Sequence, residues 1–199
     1  HDYDRAILLD PRNEQYLWEK GYTLLLLGRY DEADKDFVRA LAVNPKYARA
    51  VRGRAEIAML KGDLRTARSG FDRALEMDSE DPLNWKFSGE AHMRLENYQI
   101  GLQHLEKAVK GLPNDAIVWH NRGMAFYELG RVDEAIRSLS RGIELNPRQG
   151  GGGSYFWRAR AYSLQGKAGE AIADYSSLIN VNPGYLWAWR NRADLRYSV

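Results

Sequence analysis

Residues 118–147 read VWHNRGMAFYELGRVDEAIRSLSRGIELNP, and this stretch decides the fold. Its apolar side chains recur at three- and four-residue spacing rather than in alternation, which predicts amphipathic helices and no strand. Gly130 stands between two such patterns, where the end of a helix favours a left-handed residue. Asn146 and Pro147 close the second pattern, because the residue before a proline avoids helical geometry. The stretch therefore predicts a helix, a short turn and a second helix.

The same pattern recurs along the chain with a period that the prolines mark. Pro11 and Pro45 are 34 residues apart, and Pro45 and Pro113 are twice that distance apart. Pro147 follows after 34 more residues, and Pro183 follows after 36. A fixed period of this length is typical of one helix pair that is repeated many times, so the fold is predicted to be a stack of helix pairs.

With the marker proline at position 32 of each unit, the chain divides into five complete units and two halves. The complete units are residues 14–47, 48–81, 82–115, 116–149 and 152–185. Residues 1–13 are expected to be the second helix of a truncated unit. Residues 186–199 are expected to be a C-terminal half repeat or a capping helix. Two helices in each unit and one in each half predict twelve helices and no strands.

Small residues recur where the two helices of a unit must approach closely. Position 8 is always glycine or alanine, at Gly21, Ala55, Gly89, Gly123, Ala159 and Ala193. Position 24 is always large in a complete unit, at Phe37, Phe71, Leu105, Leu139 and Tyr175. The large groups are predicted to fill the space beside the small ones. The turn at position 15 carries glycine in four units, but the third unit has Glu96 there.

The fourth unit resembles the tetratricopeptide repeat (TPR), whose pattern is Trp, two residues, Leu-Gly, two residues, Tyr, then Ala, Phe and Pro. The residues that carry the resemblance are Trp119, Gly123, Phe126, Ala135, Leu139 and Pro147. It extends over nearly the whole chain. The resemblance implies an all-α fold, a right-handed α-α superhelix (TPR solenoid) of about twelve antiparallel-paired helices. One departure is general, since the usual Leu at position 7 is replaced by Lys, Arg or Ser.

Composition excludes several classes of function. The net charge is +2, from 29 basic and 27 acidic residues, which leaves no electrostatic footprint for nucleic acid. Cysteine is absent, so disulfides and thiolate metal sites are excluded. No apolar run approaches the roughly 20 residues of a membrane span. No signal peptide is visible, but the chain begins within a repeat, so a cytoplasmic and a periplasmic location are both compatible with the sequence.

No motif predicts catalysis, a cofactor or a metal. A Ser-His-Asp set, a phosphate loop and a paired-carboxylate motif are all missing from fitting context. His92 and His104 fall on the two helices of one unit, but the sequence offers them no third ligand and no carboxylate partner, so they support zinc only weakly. We therefore expect a protein that is not an enzyme.

Residues 150–154 read Gly-Gly-Gly-Gly-Ser and shift the last units by two residues. Consecutive glycines disfavour a helix, so this segment is predicted to be a flexible linker. The string equals a common laboratory linker, and an engineered join and a natural inter-repeat loop both remain open. The repeat register resumes directly afterwards, so the stack is expected to continue.

The resemblance implies that the first helices line a concave face through positions 2, 5, 6, 9, 12 and 13. The candidate peptide-binding residues are Trp18, Tyr22, Arg49, Arg52, Lys86, Phe87, Asn121, Phe156, Trp157, Arg160 and Asn191. Exposed aromatic side chains are enriched at binding hot spots. The alternative is that these rings pack on neighbouring repeats. The tryptophans at position 4, which are Trp85, Trp119 and Trp189, are expected to be structural.

Charged residues on the same face suggest two further interpretations. Arg49, Arg52 and Lys86 are predicted to form a local anion-binding patch, although neighbouring carboxylates weaken it. One branch of the family grips the carboxylate of chaperone tails, but Glu90 and Phe156 stand where that clamp needs Asn and Lys. A conventional clamp is therefore rejected.

Position-7 cations are expected to pair within their own units, Lys20 with Asp36 and Arg158 with Asp174. Arg54 and Arg122 have no partner that the sequence reveals.

The favoured function is a scaffold that binds a peptide or partner segment in its groove. The alternative is a non-catalytic regulatory or assembly arm of a larger enzyme or membrane machine. The half repeats add a third expectation, head-to-tail self-association of copies through bare helix faces. Tyr3, Ala6, Ile7 and Leu9 would lie bare at one end, and Trp189 and Ala193 at the other.

Overall fold

The computed structural model describes residues 2–148 and 152–198. Over these ranges the chain forms twelve α-helices and no strand, which confirms the all-α prediction. The helices fall into two compact units, His1–Leu95 and Glu96–Val199, and each unit is described by itself. None of the helices in the described ranges is long and apolar enough to cross a lipid bilayer.

The first compact unit contains six helices, which follow the predicted alternation of second and first helices from α1 onward. They are α1 (Asp2–Leu9), α2 (Glu14–Leu26), α3 (Tyr30–Val43), α4 (Ala48–Leu60), α5 (Leu64–Met77) and α6 (Pro82–Arg94). Each packs against the next along the chain, and the two first helices α2 and α4 also touch. Asn13 begins α2 by accepting hydrogen bonds from the backbone N–H groups of Gln15 and Tyr16.

The second compact unit contains the other six helices. They are α7 (Tyr98–Gly111), α8 (Ala116–Glu128), α9 (Val132–Leu145), α10 (Gly153–Leu164), α11 (Ala168–Val181) and α12 (Leu186–Ser198). Consecutive helices pack together, and the first helices α8 and α10 are in contact. In both compact units, first helices therefore lie side by side and present a shared face.

The turn inside each hairpin depends on one left-handed residue. Gly28, Gly62, Gly130 and Gly166 have φ between 72° and 84° there, as the turn prediction requires. Glu96 adopts φ 60° at the same position of the third repeat, where a side chain strains the backbone.

Replacing Glu96 with glycine is expected to raise the free energy of unfolding by about 0.5–1 kcal/mol. The strain energy removed from the folded backbone exceeds the free-energy cost of the extra conformational entropy that glycine gives the unfolded chain. Urea denaturation measures the change. Lys107→Gly, at an exposed position inside α7, is the control and should lower stability by about 1 kcal/mol. A Glu96→Gly variant that is destabilised like the control would contradict the strain.

Close packing of small against large residues is confirmed inside both compact units. A methyl group added at Gly21 would lie 2.8 Å from the ring of Phe37. One added at Gly123 would lie 2.5 Å from Cγ of Leu139. The ring of Phe37 is also closed in by Gly53, whose added methyl group would lie 2.5 Å from Cζ. Gly53 stands at position 6, outside the small-residue pattern, so the repeat spacing does not identify it.

Two predicted position-7 ion pairs are present. Arg158 donates from Nε and Nη2 to the two carboxylate oxygens of Asp174, both at 2.7 Å. Lys20 Nζ lies 3.4 Å from Oδ2 of Asp36. Both aspartates are nearly inaccessible to solvent, so each cation neutralises a buried carboxylate between the two helices of its hairpin.

The predicted flexible linker is wrong for the residues of 150–154 that the structure describes. Gly152 has a left-handed φ of 86°, and α10 begins at Gly153. Ser154 is buried, with Oγ 2.9 Å from Nδ1 of His120. A methyl group added at Gly152 would lie 2.8 Å from Leu178, so glycine permits tight packing here. Residues 150 and 151, the other part of the predicted linker, lie outside the described residues.

The expectation of bare apolar ends is correct except at Ala6, which is half-buried, and at Ile7. Ile7 is only 7% exposed, because it packs into the core cluster that contains Leu17 and Leu24. Leu9 is 82% exposed on α1, and Trp189 is 45% exposed on α12. Head-to-tail docking of copies through these faces stays a prediction.

Candidate functional site

The first-helix face of the first compact unit begins with two stacked rings on α2. Trp18 and Tyr22 lie one helical turn apart, with ring centroids 5.3 Å apart and planes 18° from parallel. Trp18 Nε1 donates to the backbone oxygen of Arg49 at 3.1 Å, and the Arg49 guanidinium lies 5.6 Å from its ring centroid. Both rings are half-buried, so they pack on the neighbouring repeat and still offer an edge to the face.

Arg52 does not contribute to an anion-binding patch, contrary to the sequence prediction. Its side chain is 6% exposed, and Nη1 donates to Oδ2 of Asp81 at 2.6 Å and to Oδ1 of Asn84 at 2.7 Å. The guanidinium is therefore committed to partners from the next repeat. Arg49 and Lys86 remain on this face, and the three-residue patch is wrong.

Phe87 follows the packing alternative rather than the groove prediction. Its ring stacks on the buried ring of Phe71 with centroids 5.5 Å apart, and Lys86 Nζ lies 5.7 Å above it. Phe87 is half-buried and belongs to the border of the core cluster that contains Phe71. Its contribution to a binding face is limited to one exposed edge.

A buried carboxylate lies beside these cations. Glu56 has a side chain 12% exposed, with Oε1 3.8 Å from Nε of Arg52. Burial raises the pKa of the Glu56 carboxyl to about 7, although the charge of Arg52 opposes the rise. Glu90 adds to the pKa increase and Lys86 reduces it. The face of α4 and α6 therefore carries a carboxyl that titrates near neutral pH.

Replacing Glu56 with glutamine is expected to change how stability depends on pH. The folded chain holds this proton more tightly than the unfolded chain, so the stability contributed by the group is present below about pH 4.5 and is lost as the pH rises through about 7. Glutamine cannot ionise, so the variant should gain up to about 3 kcal/mol over wild type between pH 4.5 and pH 8.

Urea unfolding at several pH values measures this difference. Glu76→Gln, which removes an exposed carboxylate from α5, is the control and should leave the pH dependence unchanged. A stability difference between Glu56→Gln and wild type that is constant from pH 4.5 to pH 8 would contradict the raised pKa.

One histidine has a carboxylate partner that the sequence did not reveal. His92 Nε2 lies 3.3 Å from Oδ1 of Asp72, and Ser88 Oγ donates to the same oxygen at 2.6 Å. The pair joins α5 to α6.

The second compact unit carries an aromatic cluster on its first helices. Trp157 meets Tyr127 and Phe156 edge to face, with ring centroids 5.3 Å and 5.6 Å apart. Phe156 also lies 5.5 Å from the ring of Tyr185. The Arg160 guanidinium sits over three of these rings, 5.0 Å from Tyr127, 5.0 Å from Trp157 and 5.7 Å from Phe156. We call the four residues Tyr127, Phe156, Trp157 and Arg160 the aromatic–Arg160 cluster.

A cavity of about 450 Å³ adjoins the aromatic–Arg160 cluster. Its lining includes Tyr127, Arg160, Tyr175, Asn191, Asp194 and Leu195. Within the described ranges, no carboxylate comes within ion-pair distance of Arg160. Burial raises the pKa of the Tyr175 hydroxyl to about 12, so that hydroxyl stays protonated. Asn191 donates from Nδ2 to the backbone oxygen of Trp187 at 2.6 Å, which leaves its side-chain oxygen for another donor.

Some of these residues were absent from the predicted set. Tyr175 was predicted only as core, and its position 24 does place the ring inside. Tyr185 lies in the turn before α12, where first-helix spacing cannot identify it. The predicted residue Asn121 is half-buried on α8 and does not line the cavity. The four predicted residues brought together are Phe156, Trp157, Arg160 and Asn191.

The position-4 tryptophans have the structural role that was predicted. Trp119 Nε1 donates to the backbone oxygen of Pro113 at 2.8 Å, and Trp189 Nε1 donates to that of Pro183 at 3.0 Å. Trp85 makes the equivalent bond to Ser79 at 2.8 Å. Each indole therefore ties a first helix to the turn before it.

Comparison with protein families supports the repeat assignment. Three family models described as "Tetratricopeptide repeat" match residues 27–82, 116–149 and 152–185. Between them these ranges cover more than half of the chain. The ranges 116–149 and 152–185 coincide with two of the units that the prolines define.

Similar curated proteins are longer than this chain. U-box domain-containing protein 70 of Oryza sativa subsp. japonica is 25% identical over 222 residues, which cover 92% of this chain and 27% of that protein. The DnaJ homolog subfamily C member 7 homolog of Dictyostelium discoideum is 22% identical over 178 residues, which cover 87% and 29%. The chain thus spans less than a third of these relatives.

A solved structure shares the fold. YrrB, described as a TPR protein with an unusual peptide-binding site, superposes with a TM-score of 0.79 at 19% identity. The match covers 97% of this chain and 98% of YrrB. At this identity the likeness shows the fold alone.

Proposed function

We propose, from the premise that this chain belongs to the tetratricopeptide-repeat family, that its first helices bind a segment of a partner protein. Family membership supports a protein-interaction scaffold. The peptide-binding site described for YrrB belongs to that protein, and it makes a peptide ligand worth testing here.

The observation that carries the proposal is that the Arg160 guanidinium lies within 6 Å of three aromatic ring centroids. The rings hold the guanidinium by cation–π attraction, and Arg160 also lines the adjoining cavity, where its N–H groups can donate to a ligand. A planar guanidinium that is held in place loses less entropy when it binds a carboxylate in bidentate fashion. The adjoining cavity supplies space for the group that it would hold.

The chemistry of the cluster favours a particular kind of segment. Trp157 and Phe156 offer apolar edges, and rigid aromatic residues are typical anchors at binding hot spots. The free oxygen of Asn191 can accept a backbone N–H from the bound segment. We therefore propose a ligand that places an apolar side chain next to a carboxylate or a backbone carbonyl.

Linear peptides selected from a random display library on the immobilised full chain test this function. Calorimetry then measures the dissociation constant for the selected peptides. Trp157→Ala is expected to weaken binding at least about 30-fold, as hot-spot truncations do. Arg160→Lys keeps the charge but loses the planar, bidentate donor group, and it should weaken binding about tenfold.

Trp119→Phe is the matched control, because its indole holds a turn on the same compact unit and lies outside the aromatic–Arg160 cluster. This variant should bind the selected peptides within about twofold of wild type. Selected peptides that bind Trp157→Ala and Arg160→Lys as tightly as wild type would overturn the proposed function.

We propose an assembly arm of a longer protein as the second candidate function. The curated relatives favour it, because the chain matches only 27% and 29% of their lengths. The gene sequence on either side of this segment tests it. An adjoining catalytic or membrane domain supports the arm, and a reading frame confined to these repeats contradicts it.

A further inference from the structure

A second, larger cavity lies on the first compact unit, beside α4. It measures about 880 Å³ and is lined by residues of α3, α4 and α5. The α4 residues that form its floor, Val51, Ala55 and Ala58, follow helical spacing along one face. Arg52 and Glu56, on the same helix, do not line it. We call this cavity the α3–α5 groove, and it is separate from the site proposed above.

The floor of the α3–α5 groove is formed mainly by small apolar side chains. Ala55 is nearly inaccessible, and a methyl group added at Gly70 would lie 2.7 Å from its Cβ. Ser69 and Thr66 line the α5 side, so small residues border the floor there. A helix half-embedded in such a groove, with a diameter of about 10 Å over about 20 Å of length, displaces roughly 800 Å³. The volume therefore suits one helix.

The acidic residues at the rim are already neutralised or committed. Arg54 Nε donates to Oδ1 of Asp34 at 2.6 Å, and Lys61 Nζ donates to Oδ1 of Asp31 at 2.8 Å. The third acidic residue of the rim, Asp63, caps α5 by accepting a hydrogen bond from the backbone N–H of Thr66. Two of the three rim carboxylates are therefore paired with cations.

Three exposed cations on the same rim have no such partner. Within the part of the chain that the structure describes, Lys35, Arg65 and Arg73 make no ion pair. Arg65 and Arg73 are eight residues apart on α5, which corresponds to about 12 Å along the helix. The groove therefore combines an apolar floor with a rim of five cations and three carboxylates.

We infer that the α3–α5 groove binds an acidic amphipathic helix of a partner protein. Its small apolar residues would lie on Ala55 and Ala58, and carboxylates about two turns apart would meet Arg65 and Arg73. Charge complementarity selects this occupant, because a neutral helix would leave the three cations without partners and a basic helix would be repelled.

A display library of helical 18-residue peptides tests this inference on the full chain. Every member carries two glutamates seven residues apart and small apolar residues on the same face, and a matched library carries glutamine instead. Members of the glutamate library should be enriched, and their glutamine counterparts should bind at least tenfold more weakly. Equal enrichment from both libraries, or none from either, would overturn the inference.

Variants locate the binding of an enriched peptide by fluorescence anisotropy. Arg65→Gln combined with Arg73→Gln should weaken it at least tenfold, and Ala58→Trp should block it by filling the groove. Arg68→Gln is the control on α5, since Arg68 is half-exposed, pairs with Asp72 and does not line the groove. Binding that survives Ala58→Trp would contradict a helix in the groove. So would binding of polyphosphate or single-stranded RNA with the same affinity and salt dependence as the peptide.

This inference and the proposed function fail separately. Trp157→Ala should leave the acidic helix bound, and Ala58→Trp should leave bound the peptides selected for the aromatic–Arg160 cluster. Loss of both ligands from either variant would contradict the separation of the two sites.

Discussion

Replacing Phe37 with alanine is expected to lower the free energy of unfolding by about 3–5 kcal/mol. The ring is completely buried in the core of the first compact unit. Gly21 and Gly53 approach it so closely that neither side can collapse into the vacated space without moving a helix backbone. The cost therefore combines lost burial of the ring with an unfilled cavity. Urea denaturation measures it.

A double-mutant cycle separates this packing from a general loss of apolar area. Gly53→Ala should destabilise the wild type by about 1–3 kcal/mol, since its methyl group meets the ring of Phe37. In the Phe37→Ala background the same change should be neutral or stabilising, because the methyl group enters the cavity. Val38→Ala, at an exposed neighbouring position, is the control and should cost less than about 1 kcal/mol. A Gly53→Ala change that is harmless in wild type contradicts the close approach.

Replacing Arg52 with alanine should lower the free energy of unfolding by roughly 3–5 kcal/mol, as much as Phe37→Ala does, but for an electrostatic reason. The change removes the donor that Asp81 and Asn84 share and leaves their oxygens poorly solvated. Burial alone would raise the pKa of the Asp81 carboxyl, but its hydrogen bond from Arg52 and a backbone bond lower the pKa below the usual value. Without Arg52 the buried carboxylate loses most of that compensation.

Arg54→Ala is the matched control for the Arg52 prediction. Arg54 lies on the same helix and also pairs with an aspartate, Asp34, but both side chains are more than a third exposed. Its removal should cost less than about 1 kcal/mol, because water already screens the pair. Equal losses of stability in Arg52→Ala and Arg54→Ala, measured by urea denaturation, would contradict the buried role of Arg52.

Helices and hairpin turns were predictable because their causes are local. The period of 34 residues, the turn glycines and the Asn-Pro pairs each act within a few residues of the chain, so the helix boundaries follow from them. The pairing of Arg158 with Asp174 was also predictable, since both residues belong to one hairpin. Short-range patterns of this kind survive folding because nothing in the tertiary structure opposes them.

Features that depend on neighbouring repeats were not predictable in the same way. Arg52 appeared to be a groove cation because its position number describes only its own helix. Its partners Asp81 and Asn84 come 29 and 32 residues later. Partner choice of this kind depends on how successive repeats pack, which no spacing within one repeat encodes.

Glycine composition was also a poor guide at one point. The run that includes Gly152 and Gly153 predicted a flexible linker, but these glycines let the backbone pass close to Leu178 and His120. Low side-chain volume serves flexibility and tight packing equally well. The distinction depends on the surrounding side chains, which the local sequence does not contain.

The central claim is that the aromatic–Arg160 cluster on the first helices binds a partner segment. Nuclear magnetic resonance of the ¹⁵N-labelled indole groups, recorded while a selected peptide is added to the full chain, tests it most directly. The indole signal of Trp157 should shift in proportion to saturation, and that of Trp119 should stay in place. Saturable binding that leaves Trp157 unshifted and perturbs only signals from the second helices α9 and α11 would contradict the claim.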